Sequence, residues 1–504
     1  MSSEANFGAR VRIGAIWAYG AQVFVTVLTF IVGVIMARVL GPADFGVFIA
    51  VTAFTSIALV VVQFGMPPAL IQAPTLYEEE KNAAFWLVLL MGIAFVAIAL
   101  LVAVPLGQAY QSMQFAPVMW AMSAVFVLTA PSCVGLALLR RDMAFDKVAR
   151  INAVAHVTAA VLSVVAALLG LGVYSLALGA LVAMTVTSIG VVRFGSWRPS
   201  WPSLRPVLSL LRYAWFSLIN NGQDMAINRA DNIIVGVLLG TLSLGLYNRA
   251  FSLARLPSEQ FADSLGPVLL GALSRIQNDL DWSLKMFFKA VSAIATLTLP
   301  FLALLFVGGP TFVLLIYGEA WAGAGPPLQV MVFGGFFMLL TSLQMRLAFA
   351  QGLVRESAWV HLGVLLATLV LTLAAAPFGL IAIAAAMVMR DVLWSSLLAK
   401  LLARSALGVR YADTLHAGMP PLLAAGGATL VTWLVVDIPA DDTASRFLGL
   451  AEMGLVLFAV YGLLLGVMAI VWQTHGPLQS TKELVWDSLA GRIGGRRRRV
   501  PAPR

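Results

Sequence analysis

The sequence predicts an all-α polytopic membrane protein of about fourteen transmembrane helices, in two bundles related by a parallel pseudo-repeat around a central cavity. Three observations predict the membrane-spanning helices, while an internal echo and two polar spans point to the repeat and the cavity. Of 504 residues, 61% are hydrophobic and only 11% charged, with a mean hydropathy of +0.93; soluble domains carry about 25% charged residues. The apolar residues gather in runs of about 20, the length of a bilayer-spanning helix, and the runs lack the alternation of barrel strands. Lysine and arginine concentrate in every second connection, the bias that orients membrane proteins.

In order, the expected spans are 13–37, 44–66, 83–105, 116–139, 151–170, 174–193, 213–238, 246–270, 286–307, 327–350, 358–376, 380–402, 417–437 and 447–472. The first run has no small-residue cleavage site after it and reads as a retained span rather than a signal peptide. With the N-terminus cytoplasmic, that side receives Arg10, Arg12, Arg140, Arg141, Lys147, Arg150, Arg193, Arg198, Arg205, Arg212 and the tail cluster Arg496 to Arg499. The opposite side keeps little beyond Arg38 and Arg446, beside Glu319, Asp437, Asp441 and Asp442. Both termini are therefore expected inside. The net charge of +9 follows from these loops and the tail, so the membrane accounts for it and no nucleic-acid partner is expected; clustered arginines beside a membrane attract anionic membrane lipids.

The stretch 194–212, with Trp197, Trp201 and three prolines, reads as a cytoplasmic linker between halves. The expected organisation is a six-helix bundle over 1–193, a second over 213–402, two additional helices over 403–472 and a basic tail over 473–504. The halves share an echo. LGPADFGVF at Leu40 to Phe48 matches LGTLSLGLY at Leu239 to Tyr247, and each connects the first two spans of its half. Six spans separate the copies, so both have one orientation and the repeat is parallel.

The seventh and eighth spans are the polar ones. The seventh carries Asn220, Asn221, Asp224, Asn228, Arg229, Asp231 and Asn232, gathered on one stripe with Arg229 just beyond it. The eighth carries Asn248, Arg249, Ser252, Arg255, Glu259, Gln260 and Asp263. Charged groups in hydrocarbon normally face a bundle interior or a water-filled cavity, which predicts an aqueous cavity; a set of interhelical bonds that only hold the bundle is the competing reading.

The patterns ARVLGPADFGVF, QFGMPPALIQ, DNIIVGVLLGTLSLGLYNRAFSLARLP and PVLLGALSRIQND resemble the polysaccharide-transporter family. These are the Wzx-type lipid-linked oligosaccharide flippases of the multidrug/oligosaccharidyl-lipid/polysaccharide (MOP) superfamily. The resemblance implies a bacterial inner-membrane protein that moves polyprenyl-diphosphate-linked oligosaccharide for exopolysaccharide or lipopolysaccharide O-antigen synthesis by alternating access. It implies work beside a polysaccharide polymerase and glycosyltransferases. The alternative within the superfamily is an ion-coupled drug or metabolite antiporter.

Arginine suits a diphosphate because its planar fork binds two oxygens and its charge persists. The substrate-binding candidates are Arg229, Arg249, Arg346, Arg255, Asn228 and Asn221; Arg255 ranks low because Glu259, four residues on, is placed to neutralise it. Asp224, Asp231, Glu259 and Asp263 are the candidates for ion coupling. Arg390 and Asp391 read as a buried pair, and the scattered His156, His361, His416 and His475 read as packing at the cytoplasmic interface. Cys133 is the sole cysteine. With no phosphate-binding loop, HExxH motif or nucleophile elbow, the expectation is a protein without cofactor, metal or catalytic residues.

Overall fold

The computed structural model describes residues 20, 23–195, 197–201, 207–405, 407–436 and 443–471. Over these the chain is helical: α1 (Val23–Val39), α2 (Pro42–Gln63), α3 (Met66–Gln72), α4 (Glu78–Ala109), α5 (Phe115–Arg141), α6 (Phe145–Leu168), α7 (Val173–Phe194), α8 (Val207–Arg275), α9 (Leu280–Tyr317), α10 (Gly325–Ala350), α11 (Val354–Ala375), α12 (Leu380–Arg404), α13 (Tyr411–Val435) and α14 (Thr443–Val471). Among the described residues, twelve helical stretches are long and apolar enough to cross a membrane, and Val23–Val39 is a shorter apolar helix. One of the twelve, Asn221–Ala262, is folded in two at Gly240. With the seven-residue α3 set aside and the two limbs of α8 taken separately, the helices correspond to the fourteen expected spans; the tail 473–504 lies outside the described residues.

Each break has a local cause. Between α2 and α3, Phe64 and Gly65 both adopt left-handed backbone at φ 47° and 67°, and Pro67 and Pro68 then open the new helix, as proline does at a first turn. Gly65 also lies against the Ala214 carbonyl, where a side-chain carbon has no room. The break in α8 is sharper. Gly240 has φ 79° and ψ 172°, a conformation reserved in practice for glycine. Tyr247 Oη donates to Asp231 Oδ2 at 2.6 Å, and Asn248 Nδ2 to Asn232 Oδ1 at 3.3 Å. Sixteen residues of straight helix would place those partners about 24 Å apart. The two limbs of α8 therefore form a helical hairpin, latched by its own polar side chains.

Tyr247→Phe removes the hydroxyl from a carboxyl group only 1% exposed. A buried polar group losing its partner costs about 1–3 kcal/mol. We expect a lowered unfolding midpoint in detergent for Tyr247→Phe, and none for Ser252→Ala, which is exposed on the second limb.

The chain sorts into two compact units. The first comprises residues up to Arg249, Ile316–Gly323 and Leu365–Ile383; the second comprises Ala250–Leu315, Ala324–Val364 and Ala384 onward. In the first unit α4 packs on α5, α6 on α7 and α5 on α7. Arg141 ends α5 by donating to the carbonyls of Leu70, Ile71 and Ala73 at 3.0, 3.1 and 2.6 Å, satisfying the free end of α3. The buried Asn82 amide bonds to Ser200 Oγ at 2.7 Å and accepts from the Trp197 indole at 3.2 Å. The described part of the linker is thus tied to the start of α4. In the second unit α13 packs on α14. Arg390 Nη2 meets Asp391 Oδ1 at 2.7 Å with the arginine 1% exposed, the buried pair that the sequence predicts.

Candidate functional site

Arg249 stands nine residues past the Gly240 turn, on the second limb of α8. What surrounds it is decided by glycine. A side-chain carbon on Gly46 would fall on the carbonyl oxygen of Thr241, and one on Gly245 would fall on the carbonyl oxygen of Pro42. The first turns of α2 and of the second limb therefore touch backbone to backbone, which brings Phe45 up to Arg249. Two bonds add the end of α9 and the segment after it: Arg38 Nε donates to the Ile316 carbonyl at 2.9 Å, and Trp321 Nε1 to the Ala37 carbonyl at 2.8 Å.

The guanidinium carbon of Arg249 then lies 4.2 Å from the centre of the Phe45 ring, 5.5 Å from that of Tyr317 and 5.8 Å from that of Trp321. Phe45 and Trp321 meet edge to face at 5.3 Å. Among the described residues no carboxylate pairs with Arg249, and its Nε is buried without a hydrogen-bond partner. Three aromatic faces stabilise a desolvated cation by about 2 kcal/mol or more. They do not neutralise it, so the charge remains available to an anion.

Arg249 opens onto a cavity of about 430 Å3, within the range of pockets that enclose a whole small ligand. Helical periodicity builds its walls. α6 presents His156, Ala159, Ala160 and Ser163, and α7 presents Leu176, Gly179, Ala180 and Ala183, both at i, i+3, i+4, i+7. α1 adds Thr29, Val32 and Gly33, and α2 adds Phe45 and Phe48. The small residues on α6 and α7 leave the space. Among its described lining residues there is no carboxylate. His156 corrects one expectation: it is eleven residues into α6, about 17 Å along the axis, and lines this cavity instead of packing at the interface.

The other candidates are dispersed. Arg229 is half-buried on the first limb, its Nε buried without a partner, and does not line the Arg249 cavity. Asn221 and Asn228 are exposed there. Asp231 is held by Tyr247 and by its neighbour's backbone N–H at 2.8 Å. In the second unit Arg255 is bracketed by Glu259 at 3.1 Å, the Met338 sulfur at 3.1 Å and the Phe251 ring at 4.7 Å, so the expected neutralising pair is present. The Arg346 guanidinium lies on Gly266, where a side-chain carbon would come within 2.8 Å of it. Asp224 and Asp263 fall in α8 with side chains outside the described residues. Sequence reasoning missed Tyr317 and Trp321. They lie about seventy residues beyond Arg249, and no local pattern joins them to it.

The fold and the site define a polytopic membrane protein with an unneutralised cation facing a cavity within its spans. The family described as polysaccharide biosynthesis protein matches residues 35–326, more than half of the chain, and the chain belongs to that family. That region contains Phe45, His156, Arg249, Tyr317 and Trp321. The lipopolysaccharide biosynthesis protein WzxC of Escherichia coli is 26% identical over 64% of this chain and 66% of its own length. The succinoglycan biosynthesis transport protein ExoT of Rhizobium meliloti is 25% identical over 60% and 62%. An uncharacterised membrane protein of the Klebsiella pneumoniae cps region is 22% identical over 65% and 68%. The matches thus span about two thirds of these relatives. Among solved structures, the lipid II flippase MurJ in an inward closed conformation superposes with a TM-score of 0.75, covering 91% of this chain and 99% of its own at 14% identity. A multidrug resistance MATE transporter of the MOP superfamily gives 0.58, covering 74% and 92% at 14% identity. The chain therefore has the MOP-type membrane fold.

Proposed function

We propose that this protein is a non-enzymatic flippase that carries polyprenyl-diphosphate-linked oligosaccharide across the bacterial inner membrane for surface polysaccharide synthesis, by alternating access. One observation carries the reading: Arg249, caged by three rings and paired with no carboxylate among the described residues, faces a cavity of about 430 Å3. A cation with no carboxylate to neutralise it is placed for a phosphate, and the names of the relatives support a polysaccharide precursor as the cargo. The distribution of basic loops supports cytoplasmic termini, and the echo of Leu40 to Phe48 at Leu239 to Tyr247 supports two six-helix halves.

Arg249 leads the binding residues in this proposal, followed by Arg229 and Arg346, with Arg255, Asn228 and Asn221 behind them. Asp224, Asp231, Glu259 and Asp263 stay the coupling candidates, with Asp231 already engaged by Tyr247.

The test is translocation per folded molecule of a diphosphate-linked oligosaccharide in proteoliposomes. A hydrogen bond to a charged group contributes about 1.5–3 kcal/mol, so Arg249→Gln should slow translocation roughly ten- to hundredfold. Arg249→Lys, which keeps the charge and loses the fork, should fall between. Undiminished translocation after neutralising Arg249 and Arg229, singly and together, would remove the site. Transport of a small cation without any lipid carrier would replace the flippase reading with the antiporter.

A further inference from the structure

We propose that His156 is the second anion contact of the Arg249 cavity, and that its imidazole takes one proton from solvent when the diphosphate of a lipid-linked sugar enters. The inference rests on the diphosphate reading of this cavity and adds a residue, a proton and a pH dependence to it.

The placement carries the argument. His156 and Arg249 line one cavity, from α6 and from the second limb of α8, and among the described residues the remaining polar lining is the hydroxyls of Thr29 and Ser163. The Ser163 hydroxyl is already turned to the Ala160 carbonyl at 3.0 Å. A diphosphate diester carries two negative charges, and Arg249 supplies one positive charge. His156 is exposed on the cavity wall, within reach of solvent protons, and imidazole is the side chain that gains a charge near neutral pH to meet the second one.

Among the described residues no other charged side chain lines this cavity, and the Cys133 thiol at the middle of α5 is buried outside it. On α7 Tyr174 and Arg193 sit near the two ends of the helix, and on α5 Arg140 and Arg141 sit in the last turn. Asp44 is in the first turn of α2, Arg38 is next to last in α1, and Asp146, Lys147 and Arg150 fall in the first two turns of α6 itself. Tyr317 faces Arg249 from the aromatic cage. The proton step balances simply. Solvent supplies H+, an imidazole ring nitrogen accepts it, and the cation that forms donates its N–H to a phosphate oxygen; no covalent bond of the ligand changes.

The experiment is calorimetric titration of the full chain in detergent with a synthetic farnesyl-diphosphoryl hexose. Both its phosphates are esterified and hold fixed charge near neutral pH. Repeating the titration in buffers of different ionisation heat counts the protons taken up. We expect uptake approaching one proton in the wild type, with affinity falling by up to about tenfold per pH unit as pH rises. Uptake should vanish in His156→Gln and in His156→Asn while weaker binding persists. His156→Lys should restore affinity and remove the pH dependence, an outcome that a merely structural histidine does not give. Binding that depends on Arg249 yet releases the same heat in every buffer, or uptake that survives both His156 variants, overturns the inference and leaves the diphosphate site standing. Absence of wild-type binding, or binding indifferent to Arg249→Gln, overturns the site and the inference together.

Discussion

Gly46→Val is expected to leave almost no folded protein in the membrane, and Gly245→Val to do the same. The position built for a first side-chain carbon at Gly46 coincides with the Thr241 carbonyl oxygen, and that at Gly245 with the Pro42 carbonyl oxygen. A flexible side chain would turn aside. A backbone carbonyl fixed in a helical turn has nowhere to go, so the two helices must separate. Overpacking a well-fitted interior typically costs about 1–3 kcal/mol, occasionally more, and here separation would also open the Phe45 face of the Arg249 cage. Gly46→Ala should already reduce folded abundance several-fold. Gly271→Ala, on the same second limb with nothing within 4 Å of the added carbon, should be neutral. The comparison is membrane abundance and gel-filtration profile; a well-folded, wild-type-abundant Gly46→Val would show that α2 and α8 do not meet in this way.

The second large effect concerns Arg390 and Asp391. Asp391→Ala strips the carboxylate from 2.7 Å beside a guanidinium that is 1% exposed. Breaking a buried pair from one side costs about 3–5 kcal/mol, whereas replacing both members by apolar residues of similar volume is often neutral. The single variant should therefore lose most of its folded protein, and Arg390→Met with Asp391→Leu should recover much of it. Gly334 has to stay small for the pair, because a side-chain carbon there would stand 2.8 Å from Asp391 Oδ2. Equal losses in the single and double variants would show that the pair is needed for something beyond its own charge.

Much of the fold was legible because hydrocarbon imposes one strong rule, a span of about twenty apolar residues. That rule locates α2, α4 to α7 and α10 to α14 within several residues, while α9 runs ten residues past its expected end. The polar seventh and eighth spans followed from charge asymmetry and the echo around Gly240. The Arg390–Asp391 and Arg255–Glu259 pairs were legible because their members are one and four residues apart. The site was less so. On α6 the lipid face, with Val157, Val161 and Val165 exposed, is as apolar as the cavity face of Ala159 and Ala160. Periodicity therefore marks two faces and names neither. Asp231 and Asn232 read as cavity residues because their partners lie sixteen residues on, across a turn that only Gly240 announces. Arg249 and its rings come from three separate parts of the chain, around residues 45, 249 and 317–321, and composition says nothing about which will meet.

The reciprocal glycine contact also records how the chain is related to itself. In the echo Gly46 aligns with Gly245 and Pro42 with Thr241. Position i of one copy meets j of the other while j meets i, which is the geometry of an isologous interface about a two-fold axis. Two equivalent segments thus pair as the subunits of a homodimer would, although here they belong to one polypeptide. Departures from that symmetry show where the copies have specialised. The same offset pairs Tyr247 with Phe48 and Asp231 with Val32. In the later copy the tyrosine and aspartate are locked together at 2.6 Å; in the earlier one the phenylalanine and valine, with no hydrogen bond to make, line open space. At equivalent positions of the echo, one pair closes a polar contact and the other leaves room for a cavity.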